Sequence, residues 1–131
     1  MSTRQIVFTE DANPPLPIYS QAVKSKGHVF LSGNIGCDAN LKLADGGVQG
    51  QTKAALENII KVLKASGVTL DDVVKVNIYL TNLARDFVPM NEVYAQYWKP
   101  GQFPARTCIG VAALPLNADV EIELVAALPE A

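Results

Sequence analysis

The sequence predicts a single α+β domain, with one mixed sheet, two helices covering one of its faces, and the element order β-β-β-α-β-α-β-β. Three observations predict it. Val74, Val76, Ile78 and Leu80 alternate with Lys75, Asn77 and Tyr79, the period of a strand with one buried face. Leu56, Ile59, Ile60 and Leu63 fall at i, i+3, i+4 and i+7, one face of a helix. Two apolar stretches between Gln21 and Ser32 are split by Lys26-Gly27, which reads as a hairpin.

Taken in order, Thr3 to Phe8 reads as a short first strand. The stretch Asp11-Ala12-Asn13-Pro14-Pro15-Leu16-Pro17 can be neither helix nor central strand, and its prolines favour a stiff, extended path. The hairpin follows, with His28-Val29-Phe30-Leu31-Ser32 as its second arm, and then a loop from Gly33 to Gly47. A helix is expected from Val48 to Ser66, stopped by Gly67. The alternating strand ends at Leu80, after which Phe87, Met90, Tyr94, Tyr97 and Trp98 return to helical spacing. Pro89 fits the first turn of that helix and Pro100-Gly101 its end. Two strands close the chain, Arg106 to about Ala112 and Asp119 to Ala127, joined by Pro115–Ala118 and read as a hairpin. The second face of the sheet stays open unless another subunit covers it.

Composition narrows the function. The 131 residues suit one domain, and 49% apolar content excludes a disordered chain. A net charge of -2, from 11 Lys and Arg against 13 Asp and Glu, gives no footprint for a phosphate backbone. Cys37, Cys108 and the lone His28 are too few for a zinc site. The N-terminus is polar and acidic, unlike a signal or transit peptide, and no apolar run reaches membrane-span length. These features point to a cytoplasmic protein, although a processed mitochondrial one would look the same.

The segment Phe103-Pro104-Ala105-Arg106-Thr107-Cys108 poses the central question, because a guanidinium is costly to bury without a partner. Arg106 is either a strand-end arginine reaching solvent or an acidic neighbour, or a two-pronged clamp for a carboxylate. In Val120-Glu121-Ile122-Glu123-Leu124 both carboxylates share the polar face, so they are a solvated surface or a proton carrier. A simple hairpin puts Arg106 and Glu121 at different heights, several residues of roughly 3.3 Å apart. A spanning ligand, an irregular register or a neighbouring subunit would have to close that gap. Cys108 shares the face of Arg106 and reads as a small buried hydrophobe, since no histidine stands by to activate it. Ser32-Gly33-Asn34 lacks the surroundings of a nucleophile elbow, and Gly46-Gly47 lacks the lysine and serine of a P-loop.

Five motifs in order change the reading: Tyr19-Ser20-Gln21-Ala22, Phe30-Leu31-Ser32-Gly33, Phe103-Pro104-Ala105-Arg106-Thr107-Cys108, Ala113-Leu114-Pro115 and Glu121-Ile122-Glu123. Over nearly the whole chain this string resembles the RidA family of enamine/imine deaminases, and most of all its fungal members. The resemblance implies a chorismate-mutase-like fold, a homotrimer with ligand clefts between subunits, and no cofactor or metal. It implies hydrolysis of 2-iminopropanoate and 2-iminobutanoate, derived from 2-aminoacrylate-type enamines, to 2-keto acids and ammonia. The imines come from pyridoxal-phosphate-dependent dehydratases. By the same resemblance Arg106 holds the substrate carboxylate and Glu121 positions or activates the attacking water. Cys108 offers its backbone, and Tyr19, Ser32, Gly33 and Asn91 line the cleft.

Non-catalytic carboxylate binding, or the chaperone, translation-regulating and ribonuclease-like properties of relatives, is the alternative, with neither membrane nor nucleic acid as the expected partner. The chain departs from the family at Pro17-Ile18-Tyr19, where many relatives have Gly-Pro-Tyr. It departs again at Ser32-Gly33-Asn34-Ile35-Gly36, where many have Ser-Gly-Gln-Ile-Pro. Gly36 in place of proline is expected to loosen the backbone after the pocket strand.

Overall fold

The computed structural model describes residues 3–129. Its elements follow the predicted order: β1 (Arg4–Val7), β2 (Ala22–Ser25), β3 (His28–Ile35), α1 (Gly47–Ala65), β4 (Val73–Leu80), α2 (Leu83–Tyr94), β5 (Ala105–Gly110) and β6 (Val120–Ala127). They form a six-stranded mixed sheet in the order β1-β2-β3-β6-β4-β5. Val29 and Leu31 of β3, Val76, Ile78 and Leu80 of β4, and Val120, Ile122 and Leu124 of β6 are all buried on one face. Leu56, Ile59 and Leu63 of α1 and Met90 and Tyr94 of α2 complete that core. Each such side chain contributes about 1.5–3 kcal/mol by leaving water. Among the described residues no helix is long and apolar enough to cross a membrane.

Pairing of the last strands differs from expectation. β5 and β6 are not a hairpin. β5 runs parallel to β4, with α2 as the crossover, while β6 lies antiparallel between β3 and β4. A helix between two strands returns the chain in its starting direction, so β5 takes the free edge of β4. β6 alternates buried and half-buried along its whole length, as suits a central strand.

Three local expectations also shift. Val74 is exposed, because the β4–β6 register slips between Val73 and Lys75 and a bulge turns its side chain out. α2 starts at Leu83, capped by the Asn82 side chain, which accepts from the Arg85 amide at 3.0 Å. Pro89 therefore stands inside the helix, not in its first turn, and Phe87 is exposed while Met90 and Tyr94 are buried. The helix ends at Tyr94 in a 3-10 turn, ahead of Pro100-Gly101.

A polar tie fixes the approach to β6. The Arg85 guanidinium meets both oxygens of buried Asp86 at 2.8 Å and reaches Asp119 at 3.4 Å. The Gln51 side chain accepts from the Asp119 amide at 2.8 Å and donates to its carboxylate at 3.1 Å. α1, α2 and the start of β6 are thereby joined just before Glu121.

Candidate functional site

The predicted site residues fall into two groups on opposite faces of the sheet. Arg106 pairs in register with Val76, whose side chain is buried under the helices. Glu121 pairs with Tyr79, on the open face. The two rungs lie three positions apart on β4, about 10 Å along the strand. Offset alone was expected to separate the two residues; the larger reason is that β4 stands between their strands and their side chains point to different faces. Within one chain they do not form a site.

On the helix face, Arg106 is held in place. Its guanidinium donates to the Asn91 side-chain oxygen at 2.7 Å. It lies 4.8 Å from the ring centre of Tyr94 and 5.8 Å from that of Phe87. Such stacking orients the fork but leaves most of its in-plane donors unspent. A cavity of about 300 Å³ opens there, lined by Asn91, Tyr94, Ala95, Phe103, Pro104 and Arg106. Among the described residues no ion pair involves Arg106. Cys108 sits two residues along on the same face, half-buried against the core. Burial pushes its thiol up, with Arg106 pulling the other way, which disfavours a thiolate.

Across the sheet, a cavity of about 550 Å³ takes in Tyr19, Ser32, Gly33 and Glu121, together with Glu123 and Leu116. The proline-rich segment forms its rim because both of its ends are clamped. Asn13 receives a hydrogen bond from Gln21 on its carbonyl at 2.8 Å, and its own amide donates to Asn58 at 2.8 Å. At the far end the Ser32 hydroxyl donates to the Ser20 carbonyl at 2.6 Å. Tyr19, between these clamps, remains half-exposed. Leu116 and Asn117 both adopt left-handed backbone, at φ 58° and 56°, and this tight turn swings Leu116 over the cavity.

Glu121 owes its position to Gly33. A Cβ added at Gly33 would stand 2.6 Å from Glu121 Oε1 and 2.9 Å from its Cδ, so the carboxyl lies against the bare backbone of β3. Burial, and then the neighbouring Glu123, push the Glu121 carboxyl up from the ordinary glutamate value.

Two departures from the family pattern, Asn34 and Gly36, are now explicable. Asn34 donates to the Ser32 carbonyl at 2.9 Å and accepts from Asn58, so the shorter amide is locked to α1. Gly36 does not act as a loosened link: a Cβ there would lie 2.0 Å from the Gln51 carbonyl oxygen, and glycine lets α1 rest directly on the end of β3. Sequence reasoning missed Asn13, Asn58, Leu116, and the pairing of Tyr79 and Asn77 with Glu123. The last had a signal, since Asn77 and Tyr79 occupy the polar side of the β4 alternation. Among the described residues no group of three or more His, Cys, Asp and Glu is placed to hold a metal.

Comparison with known proteins then settles the family. The family model described as Endoribonuclease L-PSP matches residues 9–128. The chain belongs to this family, which is the RidA group anticipated from the motifs. It is 46% identical to Reactive Intermediate Deaminase A, chloroplastic, of Arabidopsis thaliana, over 95% of this chain and 66% of that protein. It is 41% identical to the 2-iminobutanoate/2-iminopropanoate deaminase of Dermatophagoides farinae, over 94% of this chain and 95% of the relative. The crystal structure of yeast Mmf1 superposes with a TM-score of 0.91 at 36% identity, covering 97% of this chain and all (100%) of that one. The RidA fold is therefore established for this chain, and its family includes proteins named as imine deaminases.

Proposed function

We propose that this chain hydrolyses small 2-imino acids, 2-iminopropanoate and 2-iminobutanoate, to 2-keto acids and ammonia, as a homotrimer with its sites between neighbouring copies. The observation that carries the reading is Arg106, a stacked and oriented guanidinium facing a cavity with no carboxylate of the described residues on it. That is what a receptor for an external carboxylate requires. The names of the relatives support the reaction class.

The chemistry needs little more than placement. Arg106 holds the substrate carboxylate. Glu121 takes a proton from water as the water oxygen bonds to the electrophilic imine carbon. With the imine protonated at nitrogen, the carbinolamine so formed is neutral: Glu121 returns its proton to nitrogen, the C–N bond breaks to release ammonia, the C=O bond of the keto acid forms, and the hydroxyl proton passes to the Glu121 carboxylate and on to the ammonia, which leaves as ammonium. A carboxyl raised by burial is a better proton acceptor than an exposed one.

The separation of the two half-sites supports association between copies, since Arg106 of one copy can meet Glu121 only on another. Exposed apolar surface supports association. Ile6, Val23, Phe30 and Val125 lie on successive strands in one continuous row on the open face, and Phe87 and Phe103 are exposed beside Arg106. An RNA-cleaving reading has less support, because the open-face cavity carries Glu121 and Glu123 and no cation lines it.

The test generates the imine in place with a serine or threonine dehydratase and traps what remains with semicarbazide. Diversion of the imine to keto acid supports the deaminase. A folded, associated protein that diverts none would sink it and favour simple carboxylate binding. Gly33→Ala refines the test. The nearest atoms its methyl meets are Oε1, Cδ and Cγ of the flexible Glu121 side chain, which can swing away, so the variant should fold with an unchanged Tm. Displacing the base should lower kcat by up to about 100-fold. Unchanged kcat would remove Gly33 from the site's construction.

A further inference from the structure

Glu121 and Glu123 share the open face of β6 and line one cavity, yet they are held very differently. Glu123 Oε1 accepts the Tyr79 hydroxyl at 2.5 Å and the Asn77 side-chain amide at 3.2 Å. Both donors come from β4, where Asn77 stands opposite Glu123 and Tyr79 opposite Glu121, so the phenol reaches diagonally from one glutamate to the other. Two donors on one oxygen fix the Glu123 carboxylate in place. The phenol is held protonated in turn, its pKa raised first by the hydrogen bond to Glu123. Among the described residues Glu121 receives no hydrogen bond on its carboxyl, and it lies on the bare backbone of Gly33.

We propose that Glu123 is a positioning residue for the hydrolysis, a fixed negative charge, tethered by Tyr79 and Asn77, that makes Glu121 the stronger proton acceptor of the pair. The proposal rests on the reading of Glu121 as the base that activates water. A like charge next to a half-buried carboxyl disfavours its ionisation, and burial, then Glu123, are what raise Glu121. Other titratable groups around it do not supply this effect. From β3 the nearest residues are Ser32, Gly33, Asn34 and Ile35, none of them charged. On β4, Tyr79 stays neutral, and Lys75 lies two positions before Asn77 and four before Tyr79, its ammonium donating to the Thr107 hydroxyl at 2.8 Å. Tyr19 and Cys37 lie on the cavity wall, the latter with its thiol raised by burial and Asp38. The Arg106 brought in by a neighbouring copy lowers Glu121 instead, so Glu123 offsets a cation that would otherwise leave the base too weak.

Glu123→Gln preserves shape and can still accept from Tyr79, so it isolates the charge. Two measurements test it on the full chain. The first follows the Glu121 carboxyl carbon by NMR titration; its midpoint should move to lower pH in Glu123→Gln. The second follows kcat/KM against pH in the coupled assay. The acid limb should move to lower pH by the same amount, while kcat at neutral pH falls a few-fold with KM unchanged. Tyr79→Phe, which frees Glu123, should move both in the same direction by less. An unmoved Glu121 midpoint overturns the proposal, as does an acid limb that stays in place while the midpoint moves. A parent chain without turnover would instead sink the deaminase reading, and the carboxyl titration would still decide whether Glu123 controls Glu121.

Discussion

Arg106→Ala should lower kcat/KM for the imine by about 10²–10⁴-fold, because two charge-assisted hydrogen bonds of about 1.5–3 kcal/mol each are lost and each 1.4 kcal/mol is tenfold. The loss should appear in KM and in kcat alike, since a substrate without its carboxylate anchor is both weakly bound and badly aimed at the water. Arg106→Lys should recover only part of it. An ammonium supplies charge but not the planar fork, and it stacks less well on Tyr94. The fold should survive, because Arg106 lies on the edge strand β5 and its partner Asn91 is half-exposed. The check is the coupled dehydratase assay on variants whose Tm matches the parent. Full activity in Arg106→Ala would end the carboxylate-clamp reading.

Mixing two inactive variants should restore turnover. Arg106→Ala keeps Glu121, and Glu121→Gln keeps Arg106. Each is expected to be nearly silent alone, the second by about 10²–10⁴-fold if Glu121 is the general base. Co-assembled at equal amounts, a site between copies is intact whenever the arginine donor and the glutamate donor are the right variants, which gives about a quarter of parental activity in a symmetric ring. A site built within one chain could never be restored in this way. Recovery near that fraction supports the shared cleft. Its absence, in mixed assemblies proven by mass spectrometry, would refute it.

Much of this arrangement was legible in the sequence because periodicity reports faces. Arg106 and Cys108 share one face of β5 and Glu121 and Glu123 one face of β6, as a period of two requires. Partners are another matter. Adjacency in sequence suggested that β5 and β6 pair with each other, whereas each pairs with β4, on opposite edges. Nothing local in either strand encodes that choice, which depends on α2 returning the chain parallel to β4. Val74 illustrates the same limit at one residue. It extends the alternation as written, and only the slip in register against β6 turns it to solvent. Pro89 looked like a helix start because proline is comfortable there, but Asn82 had already capped the helix upstream. The contact between Gly33 and Glu121 joins residues far apart in the chain and depends on β3 and β6 being neighbours, which no motif states.

The place of β6 bears on how the molecule is made. The strand lies between β3 and β4, and it is the last of the six to leave the ribosome. Until it arrives, β3 and β4 each present an unpaired edge, and the apolar faces of α1 and α2 have no complete sheet to cover. A nascent chain can form the β1–β2–β3 meander and the β4–α2–β5 unit, but the two halves meet only through the final strand. Folding therefore waits for β6 to be made, and its slow step joins segments distant in sequence. The strand that completes the sheet also carries Glu121, so the chain acquires its sheet and its candidate base in the same event.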